Sequence, residues 1–392
     1  MMTVANKLPA PDTVAQLHSE QLLTLIQQRI AKAGGKISFA DYMQLCLYAP
    51  GLGYYSAGSH KLGEKGDFTT APEISTLFSR TLAQHVNDVF RQLEQVDILE
   101  FGAGSGKMAA DILTELAGLQ ALPDHYYIIE TSADLRQKQQ QTINSTIPRL
   151  ADKVVWLDSL PQNFVGVVLA NEVCDAMPVH CLHFKDGNVT ERYIESLGSR
   201  LGWCEGELSQ PRLNHHATEI RSLIGNDGAY ITEVNLAAEA WLASLADCFQ
   251  QGVIFIIDYG YPRTSYYHPQ RSSGTLMCYY QHQGHDNPLI LHGLQDITAH
   301  VDFTALAQSA VDNGLQVAGF QSQADFLLAG GITELARPLD QDDQIGFIRQ
   351  ATEIKRLTLP SEMGENFKVL SLSKNLDQLL PRVQSGDQRY HL

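Results

Sequence analysis

The chain lacks any run of about 20 apolar residues, the length a bilayer-crossing helix requires, so no membrane insertion is expected. Basic residues are scarce. Across 392 residues, 28 Lys plus Arg stand against 44 Asp plus Glu, a formal net charge of −16. A surface of that sign repels a phosphate backbone unless its cations are strongly segregated, so no nucleic-acid partner is expected. The six cysteines (Cys46, Cys174, Cys181, Cys204, Cys248, Cys278) include no C-x-x-C pair. Disulfide scaffolds and cysteine-based zinc sites need closer organisation, and no metal is expected. The first residues, MMTVANKLPAPDTVAQLHSE, show neither a basic-then-apolar secretory pattern nor an Arg-rich amphipathic transit pattern. Reduced, buried thiols in a cytoplasmic protein are the resulting expectation.

What is present can build a core: hydrophobic residues make up 44 % and charged residues only 18 %. Apolar residues at helical spacing predict a helix over 14–33, ended by Gly34-Gly35, and a shorter one over 39–48 before Pro50. Residues 50–75 form a long glycine- and aromatic-rich stretch, and unpatterned loops of that length are commonly functional. Tyr54, Tyr55 and Phe68 are expected there either as walls of a binding pocket or as loop packing. After a helix over 76–95 the pattern changes: DILEF (97–101), YYIIE (126–130), VVWL (154–157), FVGVVLA (164–170) and VIFIIDYG (253–260) are strands alternating with helices. That alternation implies a doubly wound, mostly parallel α/β sheet. LQVAGF (315–320) and FKVLSLS (367–373) could extend one edge, and VTERYIE (189–195) suggests short strands in an insertion. The expected division is an N-terminal helical and loop extension over 1–95, then a domain over 96–392 with an insertion at about 185–252.

The segment ILEFGAGSGK (98–107) carries the strongest local chemistry. A strand ending in Glu100 runs into Gly102, Gly104 and Gly106, which allow a tight turn and close approach of a ligand. A dinucleotide turn needs G-x-G-x-x-G, but Lys107 occupies the third glycine position. A carboxylate at the strand end also disfavours a pyrophosphate and suits a ligand with a cationic amino-acid end, as in S-adenosylmethionine (SAM). Glu130 ends the next strand, where it could hold both ribose hydroxyls.

Seven segments then occur in one order: GDFTTAPEIS (66–75), LEFGAGSG (99–106), ANEVCDAMPV (170–179), DYG (258–260), SGTLMCY (273–279), DITAHVDF (296–303) and PSEMGENFKVL (360–370). Together they resemble the MidA-like family, SAM-dependent methyltransferases related to the mitochondrial complex I assembly-factor arginine methyltransferase. The resemblance spans about 35–372, with one departure: Ser273 stands where the family usually has arginine, although Arg271 is close by. It implies a class I methyltransferase fold: a Rossmann-like, mostly parallel seven-stranded sheet carrying an N-terminal helical extension and an inserted substrate-side region. It also implies SAM as cofactor and a protein arginine acceptor, possibly a respiratory-complex subunit. A homodimer stays open.

A guanidinium is always charged and needs carboxylates to align its nitrogen with a methyl donor. Glu73, Glu172, Asp175 and Asp302 are the acids the family segments offer, and His300 could orient one of them or assist proton loss. Asn171, just after the fourth strand, is expected at the cofactor edge beside Gly104 and Glu130, and Asp258-Tyr259-Gly260 at the acceptor cleft. Other acceptors on the same fold, an assembly protein of little activity and, more distantly, a dehydrogenase are the alternatives.

Overall fold

In the computed structural model the described residues are 8–57, 70–225, 228–336 and 344–392. The β-branched runs become strands. Asp97–Phe101, Tyr126–Ile129, Val154–Leu157, Phe164–Asn171 and Phe249–Tyr261 lie parallel to one another. Phe367–Lys374 runs antiparallel beside Phe249–Tyr261, and Gln316–Ser322 antiparallel beside that. Across the sheet the order is Gln316–Ser322, Phe367–Lys374, Phe249–Tyr261, Phe164–Asn171, Asp97–Phe101, Tyr126–Ile129, Val154–Leu157. The expected seven strands are present, and a two-residue strand, Val301–Asp302, adds an eighth at the end of Phe249–Tyr261. Val167, Val168, Ile254, Phe255 and Ile256 are fully buried, as strands covered on both faces must be.

The chain enters this sheet at its centre. From Asp97–Phe101 it winds outward through Tyr126–Ile129 to Val154–Leu157, then crosses back to Phe164–Asn171 on the other side. The strand order therefore reverses between Asp97–Phe101 and Phe164–Asn171. Connections leave their carboxyl ends in opposite directions there, opening the crevice in which doubly wound sheets hold ligands.

Two compact units divide the chain differently from the expected extension and insertion. Described residues of 70–175, 238–266 and 300–392 form the sheet unit; those of 8–57, 176–237 and 267–299 form the other. The helix Thr76–Phe90, expected in the extension, belongs to the sheet unit. Its Leu77, Phe78, Leu82, Val86 and Val89 lie on one stripe and join Ile112, Leu113, Val167 and Phe255 in a single core. In the other unit, Asn188–Leu197 pairs antiparallel with Lys36–Ser38, His180–Lys185 and Arg200–Gly206, and Tyr230–Val234 joins His180–Lys185. Its core gathers Leu22, Ile26, Phe39 and Tyr42 with Cys181 and Ile194. The inserted material thus begins at 176 rather than about 185, ends at 237, and is joined by 267–299.

Candidate active site

The glycine turn opens directly from the central strand. Gly102, Gly104 and Gly106 have φ of 63°, 54° and 82°, values that L side chains rarely adopt. At Gly106 there is no room either, since a Cβ would stand 3.0 Å from Gln139 Cα. The helix Lys107–Gly118 starts at once, with no capping side chain from Gly106. The N-terminus of a helix that follows such a turn favours an anionic group.

Two acids flank this turn. Glu100 is 1 % exposed and accepts a 2.7 Å bond from the Tyr126 hydroxyl on the neighbouring strand. Burial pushes its carboxyl up to about 8, with Glu130 adding to the rise and Tyr126 opposing it. Glu130 is pinned at both oxygens: Oε1 accepts from Ser132 N at 2.9 Å, and Oε2 from Gln139 Nε2 at 2.9 Å. Burial raises its carboxyl too. Glu130 lines a cleft of about 420 Å³ together with Ile129, Arg136, Leu157 and Asp158. Arg136 and Asp158 meet across it at 2.9 Å.

On the other side of the central strand lies an acidic turn. Asn171 ends its strand, and Glu172 follows with φ of 52°, a left-handed conformation costly for a residue other than glycine. Glu172 N donates to Ile257 O at 2.9 Å, which holds that conformation. Glu172 Oε1 accepts from Asn171 Nδ2 at 3.2 Å and from Ala71 N at 3.4 Å. Burial, then the charge of Asp175, push its carboxyl up to about 7. Asp175 Oδ2 accepts from the Tyr259 hydroxyl at 2.5 Å. Asp258 is 0 % exposed, and burial followed by Asp175 and Glu172 raises its carboxyl well above the ordinary range. Three acids share one small region.

The short helix Ala71–Ile74 ties the two halves together. Ala71 N reaches Glu172, and Glu73 Oε1 accepts a short hydrogen bond from the Ser105 hydroxyl inside the glycine turn. Glu73, Glu172, Asp175 and Asn171 are therefore brought to the edge that carries Gly102, Gly104, Gly106, Glu100 and Glu130. His300 stacks on Tyr261, with ring centroids 5.4 Å apart, and stands edge-on to Tyr259 at 5.1 Å. It reaches the acids through Tyr259.

Asp302 is otherwise employed. Its Oδ1 accepts from Thr304 N and Ala305 N, capping the helix Phe303–Asp312, and its Oδ2 pairs with Arg263 Nε at 3.4 Å. Those bonds give Asp302 a structural duty at the start of that helix. Tyr54 is buried in the core of the other unit, and Tyr55 donates to Asp296 Oδ1 at 3.0 Å there. Phe68 lies outside the described residues, as do 66–69 of the GDFTTAPEIS segment.

Gln139, Tyr126, Arg136 and Asp158 escaped the sequence reading. Gln139 is 0 % exposed and bonds Gly104 O, Glu130 and Trp156. Its signal was available: in the polar helix Ala133–Thr146 it sits four residues before Ile143, on the one buried stripe.

These residues fit S-adenosyl-L-methionine. The glycine turn leaves backbone exposed, Glu130 is fixed to receive hydroxyl donors, and Asn171 Oδ1 is buried with no hydrogen-bond partner among the described residues. Known proteins agree. Residues 81–321 match the family model described as "Putative S-adenosyl-L-methionine-dependent methyltransferase". A crystal structure of a protein from Burkholderia thailandensis bound to S-adenosyl-homocysteine is 40 % identical, covers 98 % of this chain and 100 % of its own, and has a TM-score of 0.94. Among curated proteins, the mitochondrial protein arginine methyltransferase NDUFAF7 homolog of Drosophila melanogaster is 29 % identical over 86 % of this chain and 82 % of its own. The human mitochondrial protein arginine methyltransferase NDUFAF7 is 26 % identical over 91 % of this chain and 83 % of its own. These names correct the cytoplasmic expectation, since the curated relatives are mitochondrial proteins. Scattered thiols report a reducing environment, not a particular compartment.

Proposed function

The chain belongs to the S-adenosyl-L-methionine-dependent methyltransferase family that its residues 81–321 match, and from that premise we propose that its methyl acceptor is an arginine side chain of a protein. S-adenosyl-L-methionine is its cofactor, supplying when bound a methyl group on a positively charged sulfur. The observation that supports an arginine acceptor is the acidic turn: Glu172, Asp175 and Asp258 lie together at the edge that carries the cofactor turn.

Three acids in one low-dielectric region repel one another, and each raises the others' affinity for protons. A guanidinium relieves that repulsion, because its planar fork matches carboxylates and keeps its charge across the accessible pH range. Glu172 hydrogen bonds so far come from a backbone amide and an asparagine, so its charge is not already neutralised by them. In this reading Glu172 and Asp175 hold the acceptor nitrogen in line with the methyl group, and alignment supplies most of the acceleration. The nitrogen forms its bond to carbon, the sulfur keeps the electron pair of the bond that breaks, and the nitrogen's surplus proton passes to a carboxylate of the turn. The names of the NDUFAF7 relatives point to the same acceptor. The resemblance makes a respiratory-complex subunit the first protein to try.

The test is labelled S-adenosyl-L-methionine added to extract from cells lacking this protein, followed by mass spectrometry of the labelled residue. Methylarginine formed by the wild type and absent with Glu172→Gln supports the reading. Label on another residue type refutes it.

A further inference from the structure

The acidic turn is held by three consecutive residues of the adjacent strand. Ile257 O accepts from Glu172 N at 2.9 Å. Asp258 Oδ2 accepts from Cys174 N at 3.0 Å and from Asp175 N at 3.1 Å, while its Oδ1 accepts from Tyr259 N at 2.9 Å. The Tyr259 hydroxyl then donates to Asp175 Oδ2 at 2.5 Å. Backbone, buried side chain and hydroxyl each fix a different part of 172–175.

We propose that Asp258 and Tyr259 are positioning residues, a clamp that sets the two acceptor-binding acids Glu172 and Asp175 relative to each other. This rests on the guanidinium reading of the site.

Chemistry favours a carboxylate over any neutral side chain for the first part of the clamp. Asp258 receives three N–H groups on two oxygens. Asparagine offers one oxygen, and its amide nitrogen would confront an N–H with an N–H. A purely structural tie could have been made away from other acids. Here a fully buried carboxylate is kept beside Glu172 and Asp175 although desolvation and like charge both oppose it. Tyr259 is placed to couple the clamp outward, since its ring also stands edge-on to His300 and, at 5.5 Å, to Phe367. Asp175 in its own turn raises the Glu172 carboxyl, and Asp175 and Glu172 together raise Asp258 on the strand.

Asp258→Asn and Tyr259→Phe test this in the full chain. For both, calorimetry with S-adenosyl-homocysteine should give an affinity within about threefold of wild type, because neither residue belongs to the glycine turn or the Glu130 cleft. Tyr259→Phe removes one hydroxyl without changing side-chain volume much. It should lower kcat on methyl-deficient extract about tenfold or more. In Asp258→Asn, titration of the isotope-labelled Glu172 carboxyl should move its midpoint to lower pH, because the released turn relaxes the burial of Glu172 and its closeness to Asp175, the two causes that raise it. An unmoved Glu172 midpoint together with wild-type turnover by Tyr259→Phe overturns the clamp. Should Asp258→Asn not fold, the Tyr259→Phe turnover decides alone. Should wild type label no arginine, the acceptor reading falls, and the Glu172 titration still judges the clamp.

Discussion

Glu172 gives the sharpest handle on the chemistry, because its carboxyl is pushed up to about 7, first by burial and then by Asp175. Below pH 7 it is mostly protonated and cannot pair with a guanidinium; above pH 7 it is charged. On the arginine reading the acceptor does not contribute to the slope, since a guanidinium stays protonated throughout. Activity should therefore rise with pH along a single limb centred near 7. With that midpoint the ionised fraction climbs from about one in eleven at pH 6 to about ten in eleven at pH 8, so kcat/KM should grow about tenfold. Glu172→Gln should flatten this limb and lower turnover by about a hundredfold or more, as expected when one partner of a desolvated charge pair is removed. The same shift has a folding consequence of opposite sign. A carboxyl that holds its proton more tightly when folded stabilises the fold at low pH. That contribution is lost as pH rises from about 4.5 through 7, and amounts to about 3 kcal/mol at most. Rates on methyl-deficient extract and melting curves, both between pH 5 and 8.5, measure the two effects. A rate limb centred near 4.5, or one that Glu172→Gln leaves in place, would refute the assignment.

Three further perturbations separate the parts of the site. Gly104→Val puts a β-branched residue at φ of 54° in the cofactor turn, so S-adenosyl-homocysteine binding should vanish; unchanged affinity in a folded variant would place the cofactor elsewhere. Glu100→Gln keeps an acceptor for Tyr126 but removes a buried acid whose carboxyl is raised to about 8. It should raise the melting temperature of the unliganded protein at pH 8 and leave it unchanged near pH 4, and equal melting at both pH values would count against the burial argument. Asp302→Ala removes the cap of Phe303–Asp312 and should cost about 1 kcal/mol of stability; a hundredfold loss of kcat with normal stability would give Asp302 a catalytic duty instead of a structural one.

The sheet was legible because its strands are covered on both faces and therefore read as unbroken β-branched runs bounded by turns. DILEF and VVWL became strands with the expected bounds, and the antiparallel FKVLSLS strand extended by one residue. Division into units was less legible. The helix Thr76–Phe90 precedes the first sheet strand in sequence, yet its apolar stripe belongs to the sheet core, and only packing reveals that. The acids were found by type but not by duty. Asp302 and Glu172 both lie within family segments beside a strand end. Only the structure separates a carboxylate that caps a helix from one held at φ of 52° among two others. Partnerships such as Gln139 with Gly104 or Asp258 with Cys174 join residues 35 and 84 positions apart, beyond any local pattern.

The concentration of acid at one sheet edge suits a chain with a net charge of −16 to a cationic cofactor and, on the arginine reading, to a cationic acceptor. Glu100, Glu172 and Asp258 are each disfavoured as anions by burial, and hydrogen bonds from Tyr126, Ala71, Asn171 and backbone amides offset only part of that. The remainder is destabilising in the unliganded protein and is relieved when positive charge arrives. The cofactor carries such charge and, on the arginine reading, so does the acceptor, so each should stabilise the fold beyond its own contacts and release protons on binding, by ordinary linkage. The effect is directional: near pH 8, above the Glu172 midpoint of about 7, the melting temperature should respond more strongly to S-adenosyl-L-methionine than near pH 5. S-adenosyl-homocysteine, which lacks the sulfonium charge, should give a smaller difference between the two pH values, and calorimetry in two buffers of different ionisation enthalpy counts the protons released. If both ligands stabilised equally at both pH values, the burial of these acids would have no electrostatic link to the cofactor's charge.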